Sequence, residues 1–318
     1  MEQTVGAAKE KRAVEFCVVN DGMHSSERRR TMVTLRLLGT GTPTPTQSRF
    51  GTSYVLQIGE EYVMIDCGPA TTYKLVKAGL FPTQIDYLFF THHHCDHNAD
   101  YPCFLLCRWD QSAGKENQLS IWGPQPTELI TERLIGPEGA FVFDWQARVG
   151  HPTSQSVHRN RGGSLPRPEP AMKVTDIEHG DVIKQANWKV TAALANHVQP
   201  WLNSLAYRFE TEDGTIVFAG DTEPCDTVQQ LAEDTDVLVV NCWDHQETMA
   251  ENGEAPAQTG TIDAANMARD AGAELLILTH TGPAICKPGS REKAIADIAA
   301  IYDGEIVFGE ELMGVDLW

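Results

Sequence analysis

From residue 32 to the C-terminus, short apolar runs alternate with stretches of helical periodicity. MVTLRLLGTGTP reads as a strand entering a Gly/Thr/Pro turn, and SYVLQIG and YVMIDCG as consecutive strands about a Gly-Glu turn. ATTYKLVKAGL has the spacing of a helix stopped near Gly79. IDYLFFTH reads as a buried strand and YPCFLLCRW as a helix. WKVTAALANH, SLAYRFET and TIVFAGDT follow as strands, the last two joined by a hairpin at Glu212–Asp213–Gly214. TVQQLAEDT, TIDAANMARDAG and REKAIADIAAIYDG read as helices, and DVLVVNCW, ELLILTH and EIVFG as strands. Near-continuous apolar strands beside helices predict covered sheets, and the hairpins make those sheets mixed. The predicted fold class is α/β.

The alternation also marks the boundaries. Residues 1–31 are polar apart from AVEFCVV and close on HSSERRRT, so they read as an N-terminal extension, either an added edge strand or a tail. The main domain is then 32–318. Within it, residues 136–170 break the rhythm with Gly, Pro, Arg and aromatics, which predicts a long loop, either a lid or a solvated insertion. The two halves resemble each other loosely. Each has a strand ending in Asp (MIDCG and FAGDT) and a strand ending in Thr-His (FFTHHH and LILTHTG). This predicts two related halves whose strand ends meet at one cleft.

Composition narrows the partners. With 44 acidic and 25 basic residues the formal net charge is −19. Such a surface repels a phosphate backbone unless cations gather locally, so it argues against nucleic acid. No apolar run reaches the roughly 18 residues of a membrane span, and the N-terminus has no apolar core of a secretory signal. The eight cysteines are scattered with no CxxC pair, which suits reduced thiols and a cytoplasmic setting.

The densest chemistry is HHHCDH at 92–97, at the end of the IDYLFFT strand. In extended backbone His92, His94 and Asp96 share one side, while His93 and Cys95 share the other, and His97 follows as the chain turns. Imidazoles and a carboxylate crowded on one rim conflict unless a divalent cation unites them, and both are good ligands for zinc. His93 is expected to support the site or the core, and Cys95 to pack as a small apolar group. His151 and His158 are weaker candidates for a further metal.

HxHxDH is the signature by which the chain resembles the metallo-β-lactamase superfamily, from residue 32 to the end. The other family landmarks follow in order: Asp66 in MIDCG, His197 in ANH, Asp221 in FAGDT and His280 in LTHTG. The resemblance implies a four-layer αββα sandwich of two mixed sheets and two divalent metal ions, zinc above all. It implies that His92, His94 and His197 hold one ion, that Asp96, His97 and His280 hold the second, and that Asp221 bridges them. It also implies that Asp66 supports the site, and that a metal-bridging hydroxide is the nucleophile, its proton handled by Asp96.

LGTGTPTPTQSRFGTSYVL and NSLAYRFE resemble the ribonuclease Z branch, with its phosphodiesterases and arylsulfatase-like hydrolases. That branch implies a homodimer. Three departures count against tRNA 3′-end cleavage. Asp221 follows His197 by only 24 residues, too few for a tRNA-gripping arm. Asn241 and Trp243 stand where the branch has an acid and a small residue, with His245 as a possible substitute. The net charge offers no evident phosphate surface. Trp122, Phe141, Phe143 and Trp145, with Trp201 and Trp243 near the motifs, instead suggest a small substrate. Asn196, Trp201, Asn241, Trp243 and His245 are the candidate substrate contacts. The expected function is a metal-dependent hydrolase of a small ester: phosphodiester, sulfate ester or lactone. Hydrolytic dehalogenation of a chlorinated aromatic, the tRNA endonuclease and a non-catalytic binding module are the alternatives.

Overall fold

In the computed structural model, residues 33–115 and 118–318 are described, so the expectation for 1–31 lies outside them. The first sheet takes β1 (Val33–Thr40), β2 (Thr52–Ile58), β3 (Glu61–Ile65), β4 (Tyr87–Phe89), β5 (Ser120–Pro124) and β6 (Lys173–Ile177). The second takes β7 (Val182–Lys184), β8 (Trp188–Leu194), β9 (Leu205–Thr211), β10 (Thr215–Phe218), β11 (Val237–Asn241), β12 (Leu275–Thr279) and β13 (Glu305–Phe308). The last strand, β14 (Met313–Asp316), returns to the first sheet beside β1, a pairing its four residues MGVD did not announce.

Among the described residues, both sheets have seven strands and one plan. β1, β2 and β3 pair antiparallel and then β3, β4, β5 and β6 run parallel. In the second sheet β8, β9 and β10 pair antiparallel and β10, β11, β12 and β13 run parallel. The strand leading to Asp66 is thus third in its run, as is the strand leading to Asp221. The Thr-His resemblance is accidental by contrast: β4 is fourth in its run and β12 is fifth, so their histidines are not structural equivalents.

Strand alternation builds the layers, because successive side chains face opposite sides of a sheet. Leu35 and Leu37 of β1, Leu56 of β2, Phe89 of β4, Phe218 of β10 and Ile277 of β12 meet in a core between the sheets. The residues between them, such as Val55, Met64 and Leu88, pack outward against Leu75, Phe104 and Leu105. Those three lie on α1 (Thr71–Lys77) and α3 (Tyr101–Gln111), which cover the first sheet beyond the one-turn α2 (Cys95–Asn98). Other helices of this half are α4 (Thr127–Ile135), α5 (Val142–Gly150) and α6 (Pro152–Asn160). The second sheet is covered by α7 (Asp226–Ala232), α9 (Thr261–Ala271) and α10 (Ser290–Ala299), with α8 (Gln246–Asn252) between α7 and α9 in the chain. Alanines 264, 265, 268 and 271 recur at helical spacing on the buried face of α9, and Gly272, in left-handed backbone, stops it. The result is a four-layer αββα sandwich.

Two expectations need correction. Residues 136–170 are not an irregular loop: they hold α5 and α6, and Trp145 is buried, donating from Nε1 to the Ile135 carbonyl at 2.9 Å. Arg148, Arg161 and Arg167 tie this segment to Asp110 near the end of α3, at 3.3, 3.0 and 2.8 Å. Trp122 is also no substrate contact, since it stacks on Phe89 at 4.9 Å between the sheets. Aromatic residue type alone could not separate core from site.

Candidate metal centre

Parallel strands present their carboxyl ends on one edge of a sheet, and ligands gather there. Asp66 follows β3, His92 follows β4, Asp221 follows β10 and His280 follows β12. His197 follows β8, which runs in the same direction as β10 through two antiparallel pairings. Leu205 N–H donates to the Thr91 carbonyl at 2.9 Å and Tyr207 Oη to the Phe90 carbonyl at 2.5 Å, clamping the two edges together. The loop exits are strained where the turn is sharpest. Asp66 and His280 both have positive φ, 59° and 48°, a conformation uncommon outside glycine and concentrated at functional sites. Gly68 has no alternative residue: a Cβ there would lie 2.1 Å from the Asp96 carbonyl oxygen.

All seven predicted ligand side chains converge. His92 Nε2 lies 3.0 Å from His94 Nδ1, which lies 3.2 Å from His197 Nε2. On the other side His280 Nε2 lies 3.1 Å from Asp96 Oδ2, and His97 Nε2 lies 3.6 Å from the same oxygen. Between the two groups stands Asp221 Oδ2, at 3.1 Å from His280, 3.6 Å from His97, 3.9 Å from His197 and 4.0 Å from His92. Three sets could hold an ion: His92/His94/His197, His92/His97/Asp221 and Asp96/His97/His280. Six of the seven side chains are buried, and His94 is half-exposed.

The far nitrogens show why this set suits a cation. His197 Nδ1–H donates to the Ala257 carbonyl at 2.8 Å, and His97 Nδ1–H to Asp66 Oδ2 at 2.8 Å. Each therefore turns a lone pair on Nε2 into the cluster. His97 Nε2 and Asp96 Oδ1 are buried with no hydrogen-bond partner. Converging lone pairs without donors are costly to bury unless a cation receives them. The residues present fit metal ions.

Charge states agree with that reading at His92, His94, Asp96 and Asp221; at His97 burial opposes protonation, but Asp221 and Asp66 hold its proton affinity well above the usual range, so a cation there would replace the Nε2 proton. Burial pushes the proton affinities of His92 and His94 below the usual range, reinforced for His92 by His97 and for His94 by His197. Burial opposes ionisation of Asp221, but His280 and His97 hold its carboxyl well below the usual range. Burial likewise opposes ionisation of Asp96, yet the His280 hydrogen bond and the His97 charge keep its carboxyl low. Neutral imidazoles and ionised carboxylates are the states in which these groups ligate metals.

Asp66 stands behind the cluster. Thr91 N–H donates to its Oδ1 at 2.7 Å and Thr91 Oγ1 to its Oδ2 at 2.8 Å, and with His97 both oxygens are engaged. The roles of Thr91 and the Ala257 carbonyl were invisible in the sequence, since a threonine and a backbone oxygen carry no motif. Residues Cys95–Asn98 are helical rather than extended, and Cys95 is exposed. His93 turns away to Thr127 Oγ1 at 2.7 Å.

The candidate substrate contacts divide. Trp201 is exposed four residues beyond His197, and the Trp243 ring lies 6.2 Å from that of His280. Asn241 is buried, donates to Gln258 Oε1 at 3.0 Å and lines a small cavity together with His97, Asp221 and His280. Asn196 Nδ2 donates to Glu223 Oε1 at 2.5 Å. His245 Nε2 meets Ser290 Oγ at 2.9 Å and Nδ1 lies 3.7 Å from Asp297, so its ring is engaged by α10 and does not replace the missing acid. Among the described residues, neither His151 nor His158 joins a metal-competent group. No described helix is long and apolar enough to cross a membrane.

Comparisons with known proteins agree with this architecture. Residues 61–281 match the profile of the β-lactamase superfamily domain. Ribonuclease Z of Mycobacterium sp. (strain KMS) is 30% identical over 297 residues, covering 90% of this chain and 96% of that protein. Among solved structures, a metallo-β-lactamase-fold protein from Bacillus subtilis superposes with a TM-score of 0.67 at 18% identity, covering 90% of this chain and 100% of the other. The short form of human tRNase Z gives 0.62 at 20% identity, with 90% and 99% coverage.

Proposed function

The chain belongs to the metallo-β-lactamase superfamily as a ribonuclease Z-like hydrolase, and on that premise we propose that it hydrolyses phosphodiester bonds in RNA with two divalent cations, zinc by preference. The small-molecule substrate expected from the short His197–Asp221 span, the net charge and the aromatic residues gives way to RNA: a 30%-identical relative spanning 90% of the chain is a ribonuclease Z. Net charge misled because it sums over the whole chain, whereas catalysis depends on the field inside one cleft. Between His197 and Asp221 the described chain holds only the β9–β10 hairpin and its connections. No separate RNA-gripping arm is inserted there, so any grip on RNA must come from the short turns at the site or from other surfaces.

The single observation that carries this reading is Asp221 Oδ2 standing within 4.0 Å of four imidazole nitrogens that belong to two groups. When bound, two cations would supply Lewis acidity at the phosphoryl oxygens and a water of lowered pKa. His92, His94 and His197 would hold one ion; Asp96, His97 and His280 would hold the other; Asp221 would touch both. An imidazole-rich set with two carboxylates favours zinc. Asp96 Oδ2 is engaged by His280 and its Oδ1 has no hydrogen-bond partner, so Asp96 would divide two tasks between its oxygens, holding an ion and taking up the nucleophile's proton. Asp66 fixes the His97 tautomer, and the Ala257 carbonyl fixes that of His197, as outer partners of metal ligands do.

The test is cleavage of an RNA hairpin with a single-stranded 3′ trailer, run beside bis(p-nitrophenyl) phosphate. The expected result is cleavage of both, abolished by a chelator and restored by zinc. Turnover of the small diester with no RNA cleavage at any zinc concentration would refute the RNA substrate.

A further inference from the structure

Trp201 is 85% exposed, more than any other large apolar side chain among the described residues. Indoles are usually highly buried, so a bare one beside a reaction centre calls for a physical reason. Its turn is tied down at both ends. His197 N–H donates to Gln199 Oε1 at 2.9 Å, Gln199 Nε2 to the Ala195 carbonyl at 2.6 Å, and Trp201 N–H to the Val198 carbonyl at 3.1 Å. At the far end Asn203 Nδ2 reaches the Gln125 carbonyl at 3.4 Å.

Gln125 follows β5, the neighbour of β4, the strand that leads to His92. The turn therefore spans from the His197 strand end to the edge that carries His92, and Trp201 sits on that span. Among the described residues no ring or guanidinium stacks on its indole. A rigid backbone presenting an unoccupied aromatic face is how proteins hold unpaired bases. Such stacking is tolerant of sequence, because every base has a π-face.

We propose that Trp201 is a stacking platform for an unpaired nucleobase of the RNA substrate, next to the phosphodiester that is cut. This rests on the RNA reading above. Stacking acts on binding, so the effect falls on KM more than on kcat.

The experiment measures kcat and KM of wild type, Trp201→Ala and Trp201→Phe on the trailer-bearing RNA. A matched series of RNAs has one trailer nucleotide at a time made abasic. Trp201→Ala is expected to raise KM about 5- to 100-fold, and Trp201→Phe to recover most of it. At one abasic position wild type is expected to lose the same affinity, and Trp201→Ala to lose nothing further. A wild type that cleaves RNA while Trp201→Ala keeps the same KM overturns the platform alone. A loss in Trp201→Ala that persists at every abasic position also overturns it, because the residue would then act by holding His197. A wild type that hydrolyses bis(p-nitrophenyl) phosphate but no RNA overturns the parent reading.

Discussion

Two corners of the molecule occupy the same place in the two halves and do opposite things. Asp66 and Asp221 each follow the third strand of an antiparallel-then-parallel run, and each is preceded or accompanied by left-handed backbone, at Asp66 itself and at Gly220. Both carboxylates are buried and both face His97. Asp66 has its oxygens filled by Thr91 N–H, Thr91 Oγ1 and His97 Nδ1. Asp221 Oδ2 is surrounded by imidazole nitrogens alone. Burial prevails at Asp66 and its proton affinity rises, despite His97 and Thr91. At Asp221 the imidazoles prevail against burial and its proton affinity falls. The same residue at the same topological position becomes a buttress at Asp66 and, on the proposed reading, a ligand at Asp221, according to which groups surround it.

Substitutions can break this contrast in graded steps. Asp221→Ala removes the carboxylate shared by both groups. Metal content measured by elemental analysis and kcat/KM on bis(p-nitrophenyl) phosphate should both fall by more than about 100-fold, beyond the range for outer partners. Asp66→Asn keeps the shape but turns an amide donor toward a group that must accept, pushing the His97 proton to Nε2. Metal affinity should fall about 10- to 100-fold, which a zinc titration reads. If Asp66→Asn matched Asp221→Ala in both readouts, the division into buttress and ligand would be wrong. Thr91→Val deletes one of the Asp66 donors and keeps the backbone N–H. It should lower thermal stability by about 1–3 kcal/mol and metal affinity by less than Asp66→Asn does. His245→Ala removes the contacts to Ser290 and Asp297 on α10 and should leave kcat/KM close to that of wild type; a loss comparable to Asp66→Asn would return His245 to the reaction.

Much of the centre was legible because metal ligands are few residue types at conspicuous places. HHHCDH follows an unmistakable apolar strand, and Asp221 and His280 end strands of the same character. The fold was legible for a related reason: strands with both faces buried leave continuous apolar runs. The insertion was misread because Gly and Pro at 136–139 and 162–170 flank short helices whose apolar stripe is only Val142, Trp145 and Val149 deep. β14 was missed because four residues carry too little alternation. The support from Thr91 and Ala257 was hidden because it depends on backbone atoms brought together from sites distant in the chain. The substrate was misread because composition averages over a surface, and the bare indole of Trp201 could be told from the buried ones of Trp122 and Trp145 only in three dimensions.

On the proposed reading, seven side chains form one two-ion site with Asp221 in its middle. Elemental analysis of the purified protein combined with anomalous diffraction at the zinc edge tests it most directly. Two ions per chain are expected, one among His92, His94 and His197 and one among Asp96, His97 and His280, with Asp221 touching both. Ions bound elsewhere, or hydrolysis by a protein carrying none, would contradict it.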